Sequence, residues 1–513
     1  MNFSSLATIF IVGIIFLGSF FTIAQNAGNP DLTFGGTGYV TTSAGTLHSF
    51  GYAMEVQTDN KIVVGGYSIQ NGYSANTLIR YNTDGSFDNS FGNNGMVVTQ
   101  TGLSSHINSI AIQNDNKILA AGITNIDTSF LFTVIRYNPD GTLDNSFGNN
   151  GVTLINVENS SNCYNAALKS NGQILVSGYC YKNFNTGIAL VQINGDGMLD
   201  TNFGTGGISI HHFSESPDIE AWAMALDGDE KIVTTGMYYD SAILRSKISV
   251  CRFNSDGSRD SSFGTGGLVI SSAGVNTDDF GNAIVIQSNN KIVVAGTSNN
   301  YAVISRYNIN GSPDSTFATG NGMLITRFEN TEPSEAYGIT ISNNGNIIVT
   351  GVSGSNAMNT NGNFALLRLN PDGTSDNSFG TNGRVITDVS NGHNDVAFSV
   401  KELSDERIAV SGISMNNYYR FAVALYIGST LQTPVLDIME DLNIFPNPAD
   451  DLLFLTGAYK GVIEIYSTKG QKIFSLDKKD GFIKADISEL PNGLYYLKAN
   501  TDNGVIVKKF IKE

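Results

Sequence analysis

Charge, cysteine, proline and tryptophan are all scarce in this sequence. Charged residues make up only 15% of 513, and 46 acids stand against 29 bases for a net charge of -17. A nucleic-acid binder needs a cationic face for the phosphates, so that class is excluded. The excess of acid lies upstream of residue 441, because beyond it ten lysines balance ten acids. With 10 prolines against 56 glycines, and Val, Ile, Tyr, Phe and Thr crowded into short runs, the composition is all-β. No nucleophile elbow, zinc-spaced histidine pair or phosphate loop appears, and no cofactor motif, which leans against an enzyme. After the N-terminus no apolar run approaches membrane length.

What the chain has in abundance is one turn. Asp140-Gly141-Thr142-Leu143-Asp144-Asn145-Ser146-Phe147-Gly148 recurs in near-copies ending at Phe34, Phe91, Phe203, Phe263, Phe317 and Phe379, spaced by 54 to 62 residues. A period of that size marks a repeat architecture whose units share one continuous core. The sixth copy departs, with Asn310 for Asp and Ala318 for Gly.

Between turns stand four short runs, a to d. In the second unit they are Ile110–Ile112, Lys117–Gly122, Phe132–Tyr137 and Gly151–Ile155. Run b is apolar on both faces in every copy, as in Lys61-Ile62-Val63-Val64 and Lys291-Ile292-Val293-Val294, which signals a strand covered from both sides. Four-stranded sheets sandwiched between their own copies, repeated radially, make a β-propeller. An orphan run d, Gly38–Thr42, precedes the first complete unit, and the last unit stops at its run c, Phe421–Tyr426. The N-terminal strand therefore completes the last sheet and removes two open edges, giving seven blades. A linear solenoid is the alternative.

The turn joins run c to run d. Its glycine opens the bend, its second Asp accepts amides of the same loop, and its Phe drops between blades. Asp84, Asp88 and their equivalents also admit a Ca²⁺ reading, although the glycine does not stand where an alternating calcium loop requires it. The repeated Asp-Gly-x-x-Asp-x-x-Phe-Gly, with the downstream Lys-Ile-Val-Val-x-Gly, resembles the delta-60 repeat family from residue 29 to about 428. That resemblance implies a propeller-like extracellular module without a defined activity.

Residues 1–24 read as a signal peptide, apolar from Leu6 to Ile23 with a cleavage site after Ala24; a retained anchor is the alternative. The propeller then spans 25–428 and a linker 429–440, and 441–513 holds short alternating strands that make a small β-sandwich. Its opening Phe445-Pro446-Asn447-Pro448, with Gly470, Gly493, Tyr495 and the closing Lys509-Phe510-Ile511-Lys512, resembles the type A C-terminal sorting domain of type IX secretion. The resemblance implies secretion machinery as a partner and a destination on the outer surface or in the medium. Of the three cysteines, Cys251 is read as inert packing. Asn171-Gly172 is the preferred two-residue hairpin turn, and centred there it sets Cys163 opposite Cys180. In an oxidising setting this predicts a disulfide, with two buried free thiols as the alternative.

Function is expected where the repeats differ. The d-to-a and b-to-c loops vary and share one face of the disc, and loops on a rigid scaffold are where recognition resides. His48, His106, His212 and His393, Glu220, Trp222 near the axis, and Tyr238, Tyr239, Tyr418 and Tyr419 are the candidate binding residues. Adjacent His211 and His212 point to opposite faces of a strand and cannot share a metal. The expected role is a surface module gripping a glycan or protein. A propeller hydrolase or lyase acting on extracellular polysaccharide, and a plain structural spacer, are the alternatives.

Overall fold

Each repeat closes into its own sheet before it meets its neighbours. In the computed structural model, residues 26–183, 185–213, 218–329, 332–354, 361–429, 443–456, 461–468, 470–478, 483–501 and 504–513 are described, and every regular element among them is a β-strand. The expected signal peptide, and the expected linker from residue 430 on, lie outside the described residues. Two compact units divide the chain, one covering Gln25–Thr430 and the other containing Leu431–Glu513.

The first unit holds seven four-stranded antiparallel sheets. Blades one to six run Ser49–Thr99, Ser104–Ile155, Ser160–His211, Ile219–Ser271, Asp279–Thr326 and Ser334–Thr387, each with its strands a, b, c and d in chain order. Blade seven takes strands a to c from Asp395–Tyr426, and its outermost strand is Tyr39–Thr42, with Tyr39 opposite Ala424 and Thr42 opposite Phe421. Strand b shows why the blades stack. In Ile174–Lys182 the first seven residues are buried on both faces, which only sheets on either side achieve.

The recurring turn ties blade to blade through an arginine of strand c. Arg136 donates from Nε to Asp144 at 2.7 Å, from Nη1 to the carbonyl of Gly195 in the next blade at 2.5 Å, and lies 4.5 Å above the Phe147 ring. Arg80, Arg252, Arg306 and Arg368 repeat this with Asp88, Asp260, Asp314 and Asp376. The other oxygen of Asp144 accepts the Ser146 amide and hydroxyl, and Lys117 adds a second cation. Both oxygens of Asp144, and of Asp88 by the same contacts, are thus held by protein donors, which assigns this acid to the turn's own scaffold and argues against the calcium reading. Gly141 is required twice. Its φ is +87°, and a Cβ there would stand 3.0 Å from the Phe91 ring of the preceding blade. Blade three exchanges the charge. Gln192 replaces the arginine, and Lys169 bonds both Gln192 and the next blade's Ser255 carbonyl.

The hairpin holding Cys163 and Cys180 departs from expectation, and the disulfide is not formed. Lys169 and Gln173 close a three-residue loop with Gly172 at a φ of +84°, so the turn is not the two-residue type and the register moves by one. A bulge between Cys163 and Asn165 moves it again, leaving Cys163 opposite Gly178 and Cys180 opposite Ser161. Both thiols are free and buried, their sulfurs facing the carbonyls of Asn165 and Gly187, and burial pushes both up to about 12. Cys251 is likewise free and buried. All three are therefore expected to resist a thiol-specific alkylating reagent in the native protein and to react together once it is unfolded, read as added mass. Addition of a single alkyl group after denaturation, at Cys251 alone, would show that the Cys163–Cys180 bond had formed.

The second unit packs a three-stranded sheet, Asn443–Phe445, Leu452–Thr456 and Ile483–Asp486, with a four-stranded one, Lys472–Lys478, Gly461–Ser467, Gly493–Thr501 and Gly504–Lys512. Leu453, Leu455, Ile463, Ile465, Leu497 and Phe510 are fully buried between them. The motif residues act here structurally. Asn447 accepts the Ile511 amide, Tyr495 stacks on Phe510 and donates to the Pro491 carbonyl, and Gly470 supplies a positive φ of 77°.

Candidate ligand-binding site at the propeller axis

Seven innermost strands surround the axis, and each carries a bulge at the same place. Strand pairing shifts between Gly51 and Ala53, and at the corresponding point of the other six blades, so one residue per blade is left out of the ladder. These residues are Tyr52, Asn108, Tyr164, Trp222, Asn282, Tyr337 and Phe398. A bulge re-aims its extra side chain out of the regular alternation, and all seven line one axial cavity of about 750 Å³. Five of the seven are aromatic. Asn108 and Asn282 each donate to the main chain of the next blade, to Cys163 O and Ala336 O, at 2.8 Å.

The aromatic residues form a connected belt. Tyr52 lies 5.2 Å from Phe398, which lies 5.3 Å from Tyr337; Tyr52 also meets Phe50 and Tyr67, and Tyr67 stacks on His106 at 4.1 Å. Across the axis Trp222 stacks on Phe280 at 5.6 Å and donates from its indole nitrogen to Glu220 at 2.8 Å. Among the lining residues the only ionised side chains are Glu55 and Lys401, paired with each other at 2.5 Å. His106 is neutral at neutral pH, because burial lowers its pKa to about 4. The wall is therefore aromatic, amide-bearing and without net charge.

The expected loop residues do not all gather here. His48 accepts the Tyr419 amide and packs on the rings of Tyr418 and Tyr419, so these three share one corner of the rim. His106, Trp222 and, through Trp222, Glu220 belong to the axis. His212 and His393 are exposed on separate blades, and no group of metal-ligating side chains occurs among the described residues. Tyr238 is only 6% exposed inside a blade core, so its ring presents no free surface; Tyr239 follows it at half burial, its amide bonded to Asp218 O. His211 donates to Gly257 O and packs on Phe253, away from His212. Sequence reasoning missed Tyr52, Tyr164, Tyr337 and Phe398. A signal was present, since each bulged residue stands ten positions before the isoleucine that opens strand b.

Comparison with known proteins places the chain. Residues 57–91, 113–147, 169–203, 229–263, 287–317 and 343–379 match the family described as a domain of unknown function (DUF5122) beta-propeller, each match ending on the turn's phenylalanine. Residues 443–513 match the secretion system C-terminal sorting domain. No curated protein matches. Among solved structures, a catalytically inactive virginiamycin B lyase from Staphylococcus aureus is similar at 11% identity, covering 75% of this chain and 98% of that one, with a TM-score of 0.42. PorZ, a surface component of the type-IX secretion system of Porphyromonas gingivalis, is similar at 10% identity over 93% of this chain and 100% of its own, with a TM-score of 0.18. Sqt1 from Chaetomium thermophilum is similar at 10% identity, with 76% and 99% covered and a TM-score of 0.40. At TM-scores this low the likenesses carry no argument about function.

Proposed function

We propose a binding role for this chain of DUF5122 beta-propeller repeats, which carries a type IX secretion sorting domain and is exported to the cell surface or the medium. Residues 1–24 serve as its signal peptide, and the axis of the propeller receives a saccharide end without transforming it. The bulged row carries this reading. A fold that repeats its turn seven times needs no particular residue at the axis, yet five of seven positions present rings to one cavity. The volume is that of a small-ligand pocket, and a wall of rings with a few amides is how such pockets are built. A sugar turns C–H faces to the negative faces of aromatic rings and hydroxyl edges to amides. Export is consistent with a ligand met outside the cell.

Trp222 is the only tryptophan in the chain and lines the cavity, so its emission reports occupancy. Titration of the secreted protein with neutral and amino-sugar oligomers is expected to shift that emission and to saturate. Tyr164→Ala weakens the same titration about tenfold or more, a loss of about 1.4 kcal/mol. Tyr73→Ala, at a residue 56% exposed that opens strand c of blade one and is absent from the cavity lining, leaves it unchanged. Unchanged emission with every oligomer would leave a spacer as the better reading.

A further inference from the structure

One carboxylate at the axis has rings around it and no cation. Glu220 is half-buried; its Oε2 accepts the Trp222 indole N–H at 2.8 Å, and Trp222 lies against Phe280. In the adjoining blade three Tyr164, which lines the same cavity as Trp222, stacks on Tyr179 at 5.8 Å, with Tyr181 edge-on to Tyr179 at 5.4 Å. Burial raises the Tyr164 and Tyr179 pKa values, and the Glu220 charge adds to it. Among the described residues Glu220 makes no ion pair, whereas the lining pair Glu55 and Lys401 neutralise one another. Burial also raises the pKa of Glu220 itself, and the Asp218 charge adds to it.

A desolvated carboxylate is satisfied by a cation, and electron-rich ring faces attract the same charge. We propose that Glu220, Trp222 and Tyr164 form a subsite for an alkylammonium group, so that the saccharide received at the axis is an amino sugar with a free, protonated amine. The inference rests on the axial binding reading above and narrows its ligand class. The amine sits against Glu220 while the sugar ring occupies the adjoining aromatic wall. No covalent step is involved. An acetylated amine carries no charge and gains nothing from the carboxylate, so the subsite discriminates between the two forms of one sugar.

The test compares glucosamine trimer, N-acetylglucosamine trimer and glucose trimer on the full secreted chain at neutral pH and constant ionic strength, read by Trp222 emission and calorimetry. Glucosamine trimer is expected to bind at least about tenfold more tightly than either neutral trimer, and tetramethylammonium to compete with it where sodium at equal concentration does not. Glu220→Gln is expected to bring the ratio to one, and a circular dichroism spectrum and melting temperature matching the natural protein show that the variant is folded. Equal affinities in the natural protein, or a preference that survives Glu220→Gln, overturn the amine subsite but leave the axial site standing. Failure of all three trimers to bind overturns both.

Discussion

Arg368→Ala lowers the stability of the propeller by about 3–5 kcal/mol, the cost of leaving a buried carboxylate without its partner. Arg368 and Asp376 are joined at 2.8 Å with side chains 8% and 10% exposed, and the guanidinium also lies 4.3 Å above Phe379 and donates to Gly428 O in blade seven. In blades one, two, four and five the lysine just before strand b stands behind the pair, but here the corresponding residue is Asn346. Removing Arg368 therefore strands the charge. Against the burial that raises it, hydrogen bonds from Ser378 and the Arg368 charge hold the Asp376 carboxyl below the ordinary range. A depressed carboxyl contributes stability above its unfolded pKa and loses it as pH falls through the folded value. The difference between natural protein and variant is thus full at neutral pH and shrinks below about pH 4. Urea midpoints at two pH values measure it. Arg245→Ala is the control. Its pair with Asp278, at 3.6 Å and exposed by 42% and 43%, is expected to matter by less than about 1 kcal/mol.

Deleting residues 26–42 abolishes the folded monomer. That segment supplies more than the outermost strand of blade seven. Gly28 and Asp31 donate to Ile427 and Leu425 carbonyls, and Ala27 O accepts Gly380 of blade six. Gly35 donates to Asp84 O of blade one, and Asp31 pairs with Arg407 at 3.0 Å. Without it the strand Tyr418–Tyr426 becomes a long apolar edge with unpaired backbone groups, a template for association. Light scattering is expected to show aggregates, and a synthetic peptide of residues 26–42 added during refolding to recover monomer. A truncated monomer with the natural melting temperature would mean that closure contributes nothing.

The ring was legible because its evidence is arithmetic. Spacing of the phenylalanines, an orphan run before the first unit and a missing run after the last leave few arrangements. Partnerships across strands were harder. The arginine stands eight residues before its aspartate in five blades, a pattern visible in the sequence, yet the aspartate alone reads as a turn residue. Cys163 and Cys180 were set opposite one another because hairpin symmetry was taken from Asn171-Gly172, and two one-residue shifts, one in the turn and one at Tyr164, undo that symmetry. The same bulge hid the site. It breaks the two-residue alternation on which strand reading depends and falls two residues ahead of run a, so no alternation marks Tyr52, Tyr164, Tyr337 and Phe398 as cavity residues. Trp222 and Glu220 were legible by rarity, one being the sole tryptophan and the other an acid in an otherwise apolar run. Loop histidines attracted attention by chemistry, but blades hold them apart.

A crystal structure of the secreted protein grown with glucosamine trimer tests the central claim most directly. The account predicts a sugar ring inside the axial cavity, stacked on the belt that includes Trp222 and Tyr164, with its amine against Glu220. Sugar bound only at the outer loops, around His212 or His393, with the axis holding water alone, would contradict it.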